Sequence, residues 1–141
     1  RPPRLNPTET AMSSNLQLLL ARILLSIMFI LSGLDKLGAV EGTTGYISSL
    51  GLPFPGLTVW LTIALEILGG LAILAGFFTR YAAWALAAFC VATAFVAHLQ
   101  PADQMQMIIF MKNITIAGGF LALAVAGPGA WSVDARRRSV I

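Results

Sequence analysis

The chain has 141 residues, of which 57% are hydrophobic and only 11% charged, and its mean hydropathy is +0.83. Soluble domains carry about 25% charged residues, so this chain lacks a polar coat and reads as a one-domain integral membrane protein. Its net charge of +3 is not gathered into a basic patch interleaved with aromatics, which argues against a nucleic-acid partner. The lone Cys90, set in an apolar run, gives neither a disulfide frame nor a cysteine metal cluster.

Residues 1–15, RPPRLNPTETAMSSN, are polar and proline-bearing and are expected to form a flexible N-terminal extension, with Met12 a candidate native start. Four apolar runs follow, at 16–34, 57–75, 81–97 and 107–126. Each approaches the ~20 residues that carry a helix across ~30 Å of hydrocarbon. Barrel strands would be shorter and would alternate in polarity, and backbone groups in lipid must bond internally. The expected fold class is an all-α integral membrane protein, four transmembrane helices in one bundle spanning 16–134. The first run is too long for a signal-peptide core, holds Arg22 and has no small-residue cleavage site, so it is read as a retained helix.

The longest connection, 35–56, contains EGTTGYISSL, expected as a short interfacial or re-entrant helix, and SLGLPFPG, whose prolines and glycines predict a turn. GFFTR and HLQPADQ are the next two connections, and GPG at 127–129 stops the fourth helix. Residues 135–141 form a basic tail. Arg1, Arg4, Arg80, Arg136, Arg137 and Arg138 fall on the side of the termini and Lys36 on the other, so both termini are expected in the cytoplasm. Ala72-x-x-x-Gly76 and Gly118-x-x-x-Ala122-x-x-x-Ala126 are candidate close-packing patterns. Four helices bury little interior, so a homodimer is also an expectation.

Three ionisable residues lie inside apolar runs: Arg22, Glu66 and Lys112. Each costs ~2.5–3.5 kcal/mol at a helix centre and is expected to face the bundle interior and pair. At 1.5 Å per residue, Arg22 and Glu66 lie ~9 and ~13 Å from the same membrane face, which predicts an Arg22–Glu66 buried ion pair. Lys112, Asn113, His98 and Lys36 converge on the opposite face, where they predict a polar ligand pocket. Snorkelling of Lys112 to the headgroups is the alternative. One histidine and scattered carboxylates make no metal site, and no phosphate loop, nucleophile elbow or CxxC is present.

The order and spacing of LLLARILLSIMFILSGLDKLG, YISSLGLP, ALEILGGLAILAGFFTR, His98, MKNITIAGG and GPGAWSVD resemble the DoxX family of small four-helix bacterial inner-membrane proteins, over nearly all of 18–134. The tail KNITIAGGFLALAVAGPGAWSVD resembles the enterobacterial YphA-like members especially, for which HLQPADQ is a short loop. The resemblance implies an inner-membrane location and a link to oxidoreductase systems. Some relatives are tied to thiosulfate:quinone oxidoreductase, others to membrane oxidoreductase complexes or to oxidative and thiol stress. The expected function is a membrane subunit or accessory of a quinone-linked oxidoreductase or oxidative-stress system, with a soluble or membrane oxidoreductase as partner. The residues fix no cofactor, and quinone is the candidate: Lys112, Asn113 and His98 could donate to its carbonyls, and histidine exchanges protons near neutral pH. A non-catalytic scaffold or assembly factor is the alternative, followed by a transporter of small molecules or lipids. The transporter reading is disfavoured by the lack of an internal repeat.

Overall fold

A computed structural model of the chain describes residues 2–4 and 6–138; Arg1 and the end of the basic tail, 139–141, lie outside the described residues. The elements are α1 (Pro7–Leu37), α2 (Val40–Ser49), α3 (Pro55–Ala75), α4 (Thr79–Ala97), α5 (Gln104–Ala126) and α6 (Val133–Arg138). Four of them, α1, α3, α4 and α5, are long and apolar enough to cross a membrane. The fold is all-helical, as the apolar runs require, and the EGTTGYISSL segment is the helix α2.

The main difference lies at the start. The stretch expected to be flexible is helical from Pro7. Asn6 caps it: its side chain accepts from the Thr8 amide at 3.2 Å, Glu9 accepts from the Asn6 amide at 3.3 Å, and Pro7 occupies the first turn, where no N–H is needed. Low hydropathy argues against burial in lipid, not against a helix in water. At 31 residues α1 is ~46 Å long and outruns the hydrocarbon. Its other end also runs past the apolar stretch, so Asp35 and Lys36 lie in its last turns rather than in a loop. Past α2 the chain turns at Gly51 and Phe54, both at positive φ, and Pro55 opens α3. Gly127, at φ 79°, ends α5 as GPG predicts.

α1 packs chiefly on α3 and α4 on α5, with α3 against α4 joining the two pairs. Phe29, Ile73, Leu86, Cys90, Phe120 and Leu123 form the main core, in which the Phe29 and Phe120 rings meet edge to face at 5.5 Å. Ile47, Val59 and Ile63 seat α2 on α3. The outer surface is apolar: Leu24, Leu61, Leu68 and Val125 are all exposed, as lipid-facing residues are.

Close approach of α1 and α3 depends on two glycines. A Cβ at Gly70 would meet Ile30 Cγ1 at 2.8 Å and the Ile30 amide at 3.3 Å, and one at Gly33 would meet Ile67 Cγ1 at 2.5 Å. The small-residue pattern expected on α5 does not serve this purpose: Gly118, Ala122 and Ala126 are exposed and nothing faces Gly118 within 4 Å. Gly70→Ala is therefore expected to destabilise the bundle by ~1–3 kcal/mol through overpacking. Gly118→Ala, which meets open space, should leave the unfolding midpoint in mild detergent near the wild-type value.

Candidate functional site

Helical side chains tilt toward the N-terminus of their own helix. α1 and α3 are antiparallel neighbours, and this tilt decides which charges meet. Lys36, in the last turn of α1, points back into the bundle. Glu66, in the middle of α3, points toward the same level from the other side. The Lys36 ammonium donates to both Glu66 carboxylate oxygens at 3.1 Å and to the Ser32 hydroxyl at 2.7 Å. Gly33, one turn below Lys36, brings the two backbones close enough for this reach. In the Gly33-x-x-Lys36 motif, the glycine supplies the approach and the lysine the charge.

The expected Arg22–Glu66 pair does not form. Arg22 tilts the other way, toward the end of the bundle where both termini lie. There it donates from Nε to the Ile73 carbonyl at 3.1 Å, from Nη2 to Leu74 at 2.7 Å, and from Nη1 to Pro128 at 2.9 Å and Trp131 at 2.8 Å. Similar depth along the membrane normal does not make the two residues partners, because each side chain leaves its helix in a different direction. Arg22 instead donates to two carbonyls in the last turn of α3, that of Leu74 and that of Ile73, which also accepts from the Gly76 amide, and ties them to the segment after α5.

Above Glu66 lies a cavity of about 580 Å³. It runs from the level of His98, at the end of α4, to that of Glu66, ~17 Å along α3 from Pro55. α1 contributes Met28, Phe29, Ser32 and Lys36; α3 contributes Thr58, Thr62 and Glu66; α4 contributes Phe89, Cys90 and Thr93; Asn113 comes from α5. α2 closes one side with Thr43, Tyr46 and Ile47. His98 Nδ1 stands 2.7 Å from Gln106 Oε1, which links the two ends of the α4–α5 connection at the cavity rim.

Of the four residues expected to share a pocket, Lys36, His98 and Asn113 line this cavity and Lys112 does not. Lys112 is exposed on the outer surface of α5, in a shallow apolar groove with Ile108, Met111, Thr115 and Ile116. One helical residue is a rotation of ~100°, so Asn113 faces inward and its neighbour faces lipid, where a lysine stem can lie along the surface and carry its charge toward the headgroups. Glu66, Cys90, Thr62 and Tyr46 are cavity residues that the sequence does not assign to the pocket. Glu66 was visible as an intramembrane charge but was matched to the wrong partner. Cys90, Thr62 and Tyr46 gave no signal without the packing.

The polar groups of the cavity divide in two. Lys36 and Glu66 saturate one another, and Thr43, Thr58 and Thr93 donate to carbonyls of their own segments. The Thr62 and Tyr46 hydroxyls and the Asn113 amide hold no hydrogen bond among the described residues. The arrangement is an apolar chamber with a neutralised ion pair at its base and three uncommitted polar groups on three different helices. Small-molecule sites have this make-up, with a few placed polar groups in apolar walls.

At the other end, the tail is locked to the bundle. The Asp134 carboxylate accepts from the Phe78 amide at 2.8 Å and from the Thr79 amide and hydroxyl at 2.9 and 2.8 Å, so it caps α4 from a distant part of the chain. Burial alone would raise the Asp134 carboxyl. The bonds from Thr79 and Phe78, with the nearby Arg137 charge, outweigh it and hold the group below its ordinary value. A carboxyl depressed on folding contributes stability that is present above its unfolded value and lost as pH falls through the folded one. Unfolding midpoints should therefore drop below about pH 4, and Asp134→Asn should lower the midpoint at neutral pH and flatten that acid limb.

The DoxX family model matches residues 17–99, more than half of the chain. The chain is 48% identical over 116 residues to "Inner membrane protein YqjF" of Escherichia coli (strain K12), covering 82% of this chain and 88% of that protein. It is 40% identical over 124 residues to "Inner membrane protein YphA" of the same organism, covering 84% and 89%. A shorter match, 36% over 62 residues and 44% and 45% of the two chains, is to "Putative oxidoreductase CatD" of Bacillus subtilis (strain 168). No solved structure matches. The family match and the two long matches together place the chain in the DoxX family.

Proposed function

We propose that the protein is an inner-membrane subunit or accessory of a redox system, and that its cavity holds a neutral, apolar small molecule of the quinone class. The observation that carries this reading is the chamber beneath which Lys36 and Glu66 neutralise each other. A charged ligand would have to break that pair and strand one buried partner, which costs several kcal/mol. A neutral ring leaves it intact. Apolar walls such as Phe29, Phe89 and Val96 suit the ring and its tail, and Asn113, Thr62 and Tyr46 offer hydrogen bonds to carbonyl or hydroxyl oxygens. When bound, a quinone would supply the electron-carrying chemistry that no side chain here provides. The residues of the chain would bind and orient it and exclude water. The name of the Bacillus relative supports the redox link, though over less than half of either chain.

Quinone extracted from protein purified in mild detergent tests the proposal. Wild type should retain it, and Asn113→Leu and Thr62→Val should each retain several-fold less at unchanged unfolding midpoints. Equal retention in all three, or none in wild type, would sink the reading; in the latter case, capture of an oxidoreductase partner by the empty protein would favour a scaffold. The inner membrane is the proposed location, as the names of both Escherichia coli relatives suggest. Arg4, Arg80, Arg136, Arg137 and Arg138 lie at the end of the termini and Lys36 toward the other, which supports cytoplasmic termini. A reporter fused to the C-terminus and active only in the cytoplasm checks this.

A further inference from the structure

From the arrangement at the α3–α4 turn we infer that this corner of the protein, next to α6, binds the headgroup of an anionic phospholipid, with Arg137 as the phosphate-recognising residue. This site lies at the opposite end of the bundle from the cavity and does not depend on what fills the cavity.

The turn is held in an unusual shape. Phe78 has φ 45°, in the left-handed region that a bulky side chain rarely adopts. The Asp134 carboxylate fixes it there by accepting from Phe78 and Thr79, while the Asp134 amide donates to the Gly76 carbonyl at 2.9 Å. Gly76, at φ 70°, has no room for a side chain: a Cβ would strike Ser132 and crowd the Arg22 guanidinium. The result presents the Phe77 and Phe78 rings outward, packed edge to face at 4.6 Å and nearly half exposed.

Arg137 lies over both of these rings, with its guanidinium carbon 4.6 Å from the Phe78 centroid and 5.5 Å from that of Phe77. A contact of this kind is electrostatic and uses none of the guanidinium's N–H donors, which lie around its edge. Among the described residues that edge makes no hydrogen bond, and no carboxylate stands within ion-pair distance. Asp134, the acid close by, has both oxygens committed to Phe78 and Thr79. A planar donor edge with no hydrogen-bonded anion among the described residues suits bidentate binding of phosphate. Arg80 and Arg138, both exposed and near in sequence to the turn and to Arg137, add positive field.

The surface next to the turn indicates a lipid rather than a free anion. Phe78 continues to Tyr81 at 6.3 Å between centroids, and Trp84 follows three residues later on the same face of α4. Tyr81 is 73% exposed and Trp84 57% exposed. A track from Arg137 over Phe78 and Tyr81 to Trp84 leads from the interface into the apolar belt of a spanning helix, where aromatic residues sit at headgroup level. It matches a phosphate with acyl chains attached. A soluble phosphate would use only the first residue of the track.

The test uses the full chain in phosphatidylcholine micelles, titrated with phosphatidylglycerol and read by native mass spectrometry and unfolding midpoint. Phosphatidylglycerol should bind and raise the midpoint, and added phosphatidylcholine should not. Arg137→Gln should weaken the binding about fivefold, as expected for one arginine at an anionic interface, and Arg137→Lys should recover only part. Arg4→Gln, at an exposed arginine before the start of α1, should leave binding unchanged. Tyr81→Ala, which leaves the Asp134 clamp in place, should also weaken binding and guards against misfolding of the Arg137 variants. Equal weakening by Arg4→Gln and Arg137→Gln would reduce the effect to general surface charge and overturn the site. So would displacement of the lipid by millimolar inorganic phosphate, which would mark a site for free anions.

Discussion

Arg22→Leu is expected to be among the most damaging single substitutions in this protein, by ~3–5 kcal/mol or outright loss of folded material. Arg22 is 2% exposed, and its guanidinium donates to four backbone carbonyls from two segments that are 54 residues apart at their nearest, Leu74 and Pro128. Hydrogen bonds from a charged donor are worth ~1.5–3 kcal/mol each, and a buried acceptor left without one costs ~1–3 kcal/mol. These terms overlap and do not add. Leucine would fill part of the volume and donate to none of the carbonyls, though that of Ile73 keeps the Gly76 amide. Arg22→Lys should rescue only partly, because an ammonium lacks the planar fork that spans four acceptors. Unfolding midpoints in mild detergent, with exposed Arg4→Leu as the reference, decide it; a fall no larger than the reference would mean that the clamp contributes nothing.

The second large effect is a coupling. Lys36→Met should cost more than Glu66→Met, because it strands a carboxylate that is 4% exposed, whereas a stranded Lys36 keeps Ser32 and some access to water. The double change removes both charges and should be less destabilised than the sum of the singles by ~1–3 kcal/mol. The folded double variant keeps a neutral chamber base and leaves Asn113, Thr62 and Tyr46 in place, so its quinone content should stay close to wild type, whereas Lys36→Met, which strands a charge beneath the ring, should lose both quinone and midpoint. A coupling below ~0.5 kcal/mol would show that Lys36 and Glu66 act independently.

Much of this architecture is legible in the chain because the signals are local. An apolar run of about 20 residues has one structural solution in lipid, so the spans ending at Ala75, Ala97 and Ala126 follow from hydropathy and their stop residues. The helical start at Pro7 was also local, written in Asn6, Pro7 and Glu9, but polar composition disguised it. The Gly33-x-x-Lys36 motif was visible as a pattern, and its meaning came only from the helix packed across it.

What the sequence determined by itself was which segments cross and which residues carry charge inside them. What only the tertiary structure decided was which of those residues meet. Depth can be counted along a chain at 1.5 Å per residue, and by that count Arg22 and Glu66 looked like partners. Whether two side chains touch also depends on the direction in which each leaves its helix and on the azimuth at which the helices pack. Direction sends Arg22 to the carbonyls at the end of α3 and brings Lys36 to Glu66. Azimuth turns Asn113 into the cavity and leaves Lys112, one residue before it, on the lipid side. Both quantities are set by close contacts such as those at Gly33 and Gly70, between residues more than thirty positions apart. No window of sequence short enough to show periodicity contains them.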